Sequence, residues 1–523
     1  MANRQMTPFW HKESFKRFMQ EHLPQLLAAR LPLAGYQYEP TGDYTCRVAI
    51  TLATRPGEQE LEVEYTELPQ PDDEGVFLIN GRRRVVVPTA AHSELDVAQI
   101  NCVGEMLYDL VIERLGQAPP DLPWDAALVR AWLPLDRWIG EFMHTSRYAQ
   151  ELDETNQLSY HTHLRRLIVL NQTALTTPSQ FGRVCPLEMP EGPNLGHIFT
   201  IALGAAIRDG RLVIDDERPE AGLGLSASLI PCLEHDDPNR LLMGANMQRQ
   251  WLPYAEPEPA LVQSGNEPAA PHFWCGRNLL TAFVPWGGDT FEDGIILSES
   301  AARRLSNVDH QVEPGDKLSN RHGSKGVVSR ILPDAQMPRL PDGAPVELIF
   351  SGILLPGRLN IGQLWEAVLG RLARTEGNPI IAPPFHGPSE QEIRQRLAAA
   401  GLPEDGMETL VRGDTGESLA GASTVGWVYW GRTAHLARDK MRAAVDEAAP
   451  VQRQGEMEAQ VLRQIGAFET IREHFNTRAA GRSKVGAETR SLAERVAAGT
   501  PVSTWSWKAG GSTFAWRNLG TTP

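Results

Sequence analysis

Apolar and polar positions change their rhythm several times along this 523-residue chain. Residues 10–31 carry Trp10, Phe15 and Phe18 at helical spacing, which predicts a helix with one buried face. Alternation over 47–52 and 60–65 predicts strands, and the short apolar runs at 75–81 and 85–88 around Asn80-Gly81 predict a hairpin. Residues 94–150 return to a helical rhythm. From about 181 to 360, Gly and Pro recur between short β-branched runs, the texture of a β-rich core whose backbone passes close to something. Residues 389–401 and 455–475 read as helices, the second with Met457, Val461, Leu462, Ile465, Phe468 and Ile471 as its stripe. Trp505, Trp507, Phe514 and Trp516 alternate around Gly-Gly and predict a hairpin whose aromatics pack on each other rather than form a binding site. The Pro-rich stretch 253–271 is the best linker candidate.

Composition narrows this picture. Hydrophobic residues make up 41% and charged residues 22%, the balance of a globular protein. No apolar run reaches a membrane span, and the first residues lack a signal-peptide pattern, so a cytoplasmic location is expected. The five cysteines form no Cys-x-x-Cys pair, so no zinc site is expected. A net charge of −15 argues against bulk electrostatic gripping of DNA. Any nucleic-acid contact must come from local basic clusters or from a partner. The run Arg82-Arg83-Arg84 reads first as a solvated charge run.

The chemistry-bearing signal is a set of ordered strings. They include Asp153-Glu-Thr-Asn-Gln-Leu-Ser-Tyr-His-Thr-His-Leu-Arg-Arg166, Phe181-Gly-Arg-Val-Cys-Pro-Leu-Glu-Met-Pro-Glu-Gly-Pro-Asn-Leu-Gly196 and Leu233-Glu-His-Asp-Asp-Pro-Asn-Arg-Leu-Leu-Met-Gly-Ala-Asn-Met-Gln-Arg-Gln250. Further on stand Phe291-Glu-Asp-Gly294, Gly315-Asp-Lys-Leu-Ser-Asn-Arg-His-Gly-Ser-Lys-Gly326 and Pro356-Gly-Arg-Leu-Asn-Ile-Gly-Gln363. The last are His435-Leu-Ala-Arg-Asp-Lys-Met441 and Gln454-Gly-Glu-Met-Glu458. Together, and in this order, they resemble the β subunit of bacterial-type DNA-directed RNA polymerase over most of residues 10–480.

The resemblance implies an α+β multidomain fold. Its core would be β-subunit-like, with a double-psi β-barrel, a helical protrusion and fork region, and C-terminal clamp-associated helices. It divides the chain into a protrusion-like region with reduced lobe (1–150), a fork and exit-side segment (151–210) and an external, hybrid-binding region (211–300). The barrel and hybrid-binding core (301–450) and a clamp segment with the Trp-rich hairpin (451–523) follow. Lys317 and Lys325 would face the RNA 3′ end and incoming phosphates. Arg240 and Arg358 match triphosphate-binding arginines, a task suited to the guanidinium fork. Glu292 and Asp293 match an acidic pair near the second magnesium ion, Asp293 acting through water. Asp153, His163, Arg165, Arg166, Asn246, Gln250, His322, His435 and Lys440 are implied nucleic-acid contacts. Taken singly, each such residue reads more simply as a surface charge or a turn; the matched strings outweigh that.

The chain also departs from the family. Few residues separate Ser306 from Gly315, where the family inserts a flap, and the lobe between Val87 and Glu151 is reduced. Leu164 and Ile168 differ from the family's exit-side residues, which predicts ansamycin resistance. No Asp-x-Asp-Gly-Asp string occurs, so the catalytic magnesium would be held by a β′-like partner. The expected function is therefore a polymerase β-type subunit, active only with that partner, with DNA, RNA, nucleoside triphosphates and α-like assembly subunits as further partners. Two other readings stay open: a non-catalytic paralogue that regulates transcription, and an RNA-templated polymerase.

Overall fold

The computed structural model describes residues 8–53, 60–115, 125–172, 176–290, 293–307, 310–440, 456–469, 471, 506–509 and 512–515. They cluster into two units. The first takes residues up to Val312, with Leu318–Gly326 and Arg330–Ala434. The second takes Glu313–Lys317, Val327–Ser329 and the described residues from His435 on.

In the first unit the N-terminal helix runs Trp10–Arg17, passes through a π-helical turn at Phe18–His22, and continues as Leu23–Ala28. The extra residue in that turn rotates the apolar stripe, so Phe15, Phe18, Met19, Leu23 and Leu27 are all buried. They pack with Val48, Ile50, Val63 and Tyr65 of an antiparallel sheet, Leu33–Pro40, Thr45–Leu52 and Leu61–Pro69. Fully burying each large apolar side chain contributes about 1.5–3 kcal/mol. The hairpin at 77–86 forms as expected. Phe77 pairs with Arg84 and Ile79 with Arg82, and Asn80 (φ 51°) and Gly81 (φ 75°) take the two left-handed positions of the turn.

Farther along the chain, six strands form a ring of hydrogen-bonded neighbours. Their order is Arg277–Phe283, Leu348–Phe350, Gly294–Ser298, Lys325–Leu332, Lys317–Asn320 and Ser418–Arg432, and the last pairs back onto the first. Met407–Val411 adds a seventh strand to Ser418–Arg432. A closed ring leaves these six strands without a free edge. Leu280, Ala282, Ile296, Ile349 and Val425 share one apolar cluster of this region. The stretch 253–271 is not a linker: Tyr254, Ala260 and Val262 are buried, and Val262–Gln263 pairs in parallel with Ile380–Ile381.

The second unit is small. Gly315 N donates to Val328 O, Val328 N to Asp316 O, and the Asp316 carboxylate accepts Ala437 N at 2.8 Å. Of the helix expected over 455–475, Glu456–Gln464 forms and a turn follows at 465–466; Met457 and Leu462 are buried, Ile465 and Phe468 are exposed, and 470 and 472–475 lie outside the described residues. Ser506–Ala509 and Ser512–Ala515 pair antiparallel with Trp507 opposite Phe514; Trp505 and Trp516 lie outside the described residues. No described helix is long and apolar enough to cross a membrane.

Candidate active site

Three separated segments meet in the first unit. The helix Pro238–Gln248 begins with Asp237 as N-cap, its carboxylate accepting Asn239 N at 3.0 Å, and with Pro at the first position. This places Arg240 in the first turn, where the unpaired amide groups already favour an anion. The second segment is the single turn Leu355–Arg358, stopped by Leu359 in the left-handed region (φ 52°). The third is Asp293 with the neighbouring strand that starts Lys325-Gly326. Arg358 Nη1 donates to Asp293 Oδ1 at 2.5 Å, with both side chains only partly exposed. Burial, and then the nearby Arg358, hold the Arg240 guanidinium below its ordinary pKa. A Cβ on Gly326 would sit 2.2 Å from Asp293 O, so this glycine lets Lys325 start its strand directly against Asp293. Arg240, Arg358 and Asp293 thus converge, two cations around one carboxylate, with the backbone of Lys325-Gly326 beside Asp293. That surplus suits a polyanion of the phosphate type.

Beneath them lies a buried ionic network that sequence reasoning missed. His322 is fully enclosed, with Nδ1 2.6 Å from Asp236 Oδ2 and Nε2 2.7 Å from Glu366 Oε2. Arg321 Nη2 donates to Glu366 Oε1 at 2.5 Å and to Val262 O at 2.8 Å. Burial alone would lower the His322 pKa, but Asp236 and Glu366 raise it to about 9. Burial would likewise raise Glu366, and Arg321 and His322 bring it down. Two carboxylates facing two cations make the cluster neutral overall, the condition under which burying four charges is tolerable. Glu366 was legible after a fashion: it falls on the same helical face as the buried Gln363, Leu369 and Ala373.

The remaining predicted contacts separate. His322 is corrected out of the nucleic-acid surface, since both ring nitrogens are occupied and the side chain is fully buried. Arg165 is corrected likewise: its guanidinium is buried and donates to Ile201 O, Ala202 O and Ala205 O, and burial lowers its pKa to about 10. His163 is buried too, accepting Asp153 N and donating to Gln150 Oε1, each at 3.0 Å. Burial, with Arg166 second, takes its pKa down to about 3. Asp153 caps the following turn through Thr155. Arg166, half-buried, lies near Arg249, which pairs with the buried Glu188 at 3.3 Å and with Asn246. Asn246 also donates to Met189 O, and Gln250 is exposed. Lys317, His435 and Lys440 belong to the second unit, where Lys317 N donates to His435 O at 3.3 Å. Glu292 lies outside the described residues.

Among the described residues no three His, Cys, Asp or Glu side chains group as ligands. Asp293, the expected water-mediated magnesium contact, is committed to Arg358.

Two family models match the chain: RNA polymerase Rpb2, domain 3, over residues 150–207, and RNA polymerase Rpb2, domain 6, over residues 303–454. The first covers the segment of Arg165 and Arg166, the second the strands of Lys317 and Lys325 together with Arg358. The chain is a β-subunit-like protein, homologous to bacterial RNA polymerase β subunits. It is 24% identical to the DNA-directed RNA polymerase subunit beta of Syntrophomonas wolfei over 648 aligned positions, covering 67% of this chain and 58% of that one. The β subunit of Acetivibrio thermocellus is 23% identical, with 72% of this chain and 54% of the relative covered. That of Geobacillus kaustophilus is also 23% identical, with 65% and 54% covered. The chain thus spans a little over half the length of these curated relatives. Alignments far longer than the part of this chain they use mark it as a reduced homologue.

Proposed function

We propose that this chain is a β-type subunit of a multisubunit, DNA-dependent RNA polymerase and contributes half of its active site. The observation that carries the reading is the convergence of Arg240, Arg358 and Asp293, with the Lys325-Gly326 backbone beside them, from segments that are distant in sequence but belong to the resembling strings. In this role Arg240 and Arg358 bind the triphosphate of the incoming nucleotide. Asp293 orients the Arg358 fork. Lys325 neutralises charge near the phosphates and the RNA 3′ end. The six-stranded ring is the family's double-psi barrel. Positioning and charge neutralisation are the main protein contributions to phosphoryl and nucleotidyl transfer. The magnesium ions of such a reaction are principally held by a β′-like chain, since an Asp-x-Asp-Gly-Asp string does not occur in this sequence. Arg166, Arg249, Asn246 and Gln250 form the exit-side contact to nucleic acid.

Substituting Lys325→Ala in the assembled complex tests this directly. RNA synthesis on a DNA template should fall at least a hundredfold while the complex still assembles. If the Lys325→Ala complex assembles and synthesises RNA as well as the unaltered one, the chain is instead a non-catalytic, regulatory paralogue.

A further inference from the structure

Arg240 and Arg358 belong to segments 118 residues apart in the chain, and neither touches the other through a direct hydrogen bond that would fix their spacing. What joins the segments lies underneath. Asp236 Oδ1 accepts Gly362 N at 2.7 Å while its Oδ2 faces His322. Asp237 N donates to Leu359 O at 2.8 Å, the residue directly after Arg358. Asn360 donates to His322 O at 3.1 Å and to Ser324 Oγ at 3.0 Å. Gly323 (φ 74°) lies so close to Arg240 O that a Cβ would sit 2.2 Å away. His322 is the centre of this arrangement. It bonds Asp236 on one side and Glu366 on the other, and Glu366 also accepts Arg321 and Tyr429 N.

We propose, building on the polymerase reading above, that His322 is a positioning residue: held as a cation between Asp236 and Glu366, it sets the separation of Arg240 and Arg358 and so tunes nucleotide affinity rather than the chemical step. Two facing carboxylates only accept hydrogen bonds, so both ring nitrogens must donate. Removing that double donor leaves Asp236 without its partner in a site closed to water. The least costly response is for Asp236 to turn away, which releases Gly362 N and loosens Leu359–Gly362. Arg358 precedes that loop by one residue and moves with it. Arg240, four residues after Asp236 on the helix, loses the same tether. The group that touches nucleotide in this scheme remains the arginine pair, and His322 acts through it.

Two variants of the full chain separate this from a merely structural role. His322→Gln can donate toward only one carboxylate. His322→Gln combined with Asp236→Asn restores a neutral hydrogen-bonded pair, because Gln can donate to Glu366 and accept from Asn, while the Arg321–Glu366 pair is untouched. Hydrogen exchange read by mass spectrometry should show amides of 236–241 and 358–363 exchanging at least tenfold faster in the single variant. Thr45–Leu52 should be unchanged, and the double variant should return to within threefold of the unaltered chain. In the assembled complex, the single variant should raise the apparent KM for nucleoside triphosphate at least tenfold with kcat within threefold, and the double variant should reverse this. Unchanged exchange in the two segments, faster exchange spread evenly over the chain, or no recovery in the double variant overturns the proposal. If the complex carrying the unaltered chain adds no nucleotide, the polymerase reading fails, and the exchange measurement alone decides whether His322 holds the arginines in place.

Discussion

Gly244→Ala is a small change whose expected sign is opposite to the general rule. An alanine in the interior of an exposed helix is normally worth up to about 1 kcal/mol more than glycine. Here the helix Pro238–Gln248 turns Gly244 toward the Arg321–Gly323 turn, and a Cβ would sit 2.0 Å from Arg321 O and 3.1 Å from Gly323 N. An ordinary carbon–oxygen contact is about 3.3 Å or more, so helix and turn must separate by about 1 Å. The turn has little room to yield. Arg321 is held by Leu229 O, Val262 O and Glu366, and Gly323 is pressed against Arg240 O. Overpacking costs about 1–3 kcal/mol, and a clash this close with backbone that cannot swing aside falls at the upper end, about 2–3 kcal/mol; less a propensity gain of about 1 kcal/mol, the net loss is about 1–2 kcal/mol. A chain of this size does not unfold in one step, so the appropriate assay is local hydrogen exchange. Amides of 238–248 and 318–326 should exchange about five- to thirtyfold faster. Gly140, in the helix Leu135–Thr145, has no atom within 4 Å of its added Cβ, so Gly140→Ala should leave exchange unchanged or slower. Protection at Gly244→Ala equal to or better than that of the unaltered chain would refute the close approach and with it the mutual positioning of Arg240 and the turn.

Other expectations follow from the same geometry. Arg358→Ala removes charge-assisted hydrogen bonds worth about 1.5–3 kcal/mol, so the KM for nucleoside triphosphate in the assembled complex should rise about tenfold to a hundredfold, and an unchanged KM would remove Arg358 from the site. His322 has its pKa raised to about 9 in the fold against about 6.5 unfolded. Its contribution is complete below pH 6.5 and fades as pH rises through 9, so protection of the amides of 318–326, corrected for the pH dependence of intrinsic exchange, should fall between pH 7 and 10, less steeply in His322→Gln. His163 and His11 run the other way. Burial, joined for His163 by Arg166, keeps them neutral with pKa values of about 3 and 4. Stability present above pH 6.5 should then be lost as pH falls toward 4, by about 2 kcal/mol for each at pH 5; an acid limb equally steep in His163→Gln would count against this.

What the sequence made legible was local. Asn80-Gly81 specifies its own turn, and Ser389 with Glu392 closes a capping box at the start of Glu390–Ala399, inside the helix expected at 389–401. The strand Leu33–Pro40 went unrecognised because it pairs as an edge and shows little burial. Ring closure and the buried ion network were beyond periodicity altogether. They join residues such as Asp236 and His322, 86 apart, and His322 and Glu366, 44 apart. A histidine or arginine between glycines reads the same whether it faces a phosphate or a buried carboxylate. That ambiguity is why Arg165, His163 and His322 were assigned outward from motif alone, in the same way as Arg240, Arg358 and Asp293, which lie beside one another.

The central claim, half an active site completed by another chain, is tested most directly by purifying the tagged chain from its native host, identifying what is retained, and assaying the eluate for RNA synthesis. The account predicts a large partner carrying an Asp-x-Asp-Gly-Asp string and template-dependent RNA synthesis by the eluate. Recovery of only a complete host polymerase with its own β subunit, or of no polymerase chain at all, would contradict it.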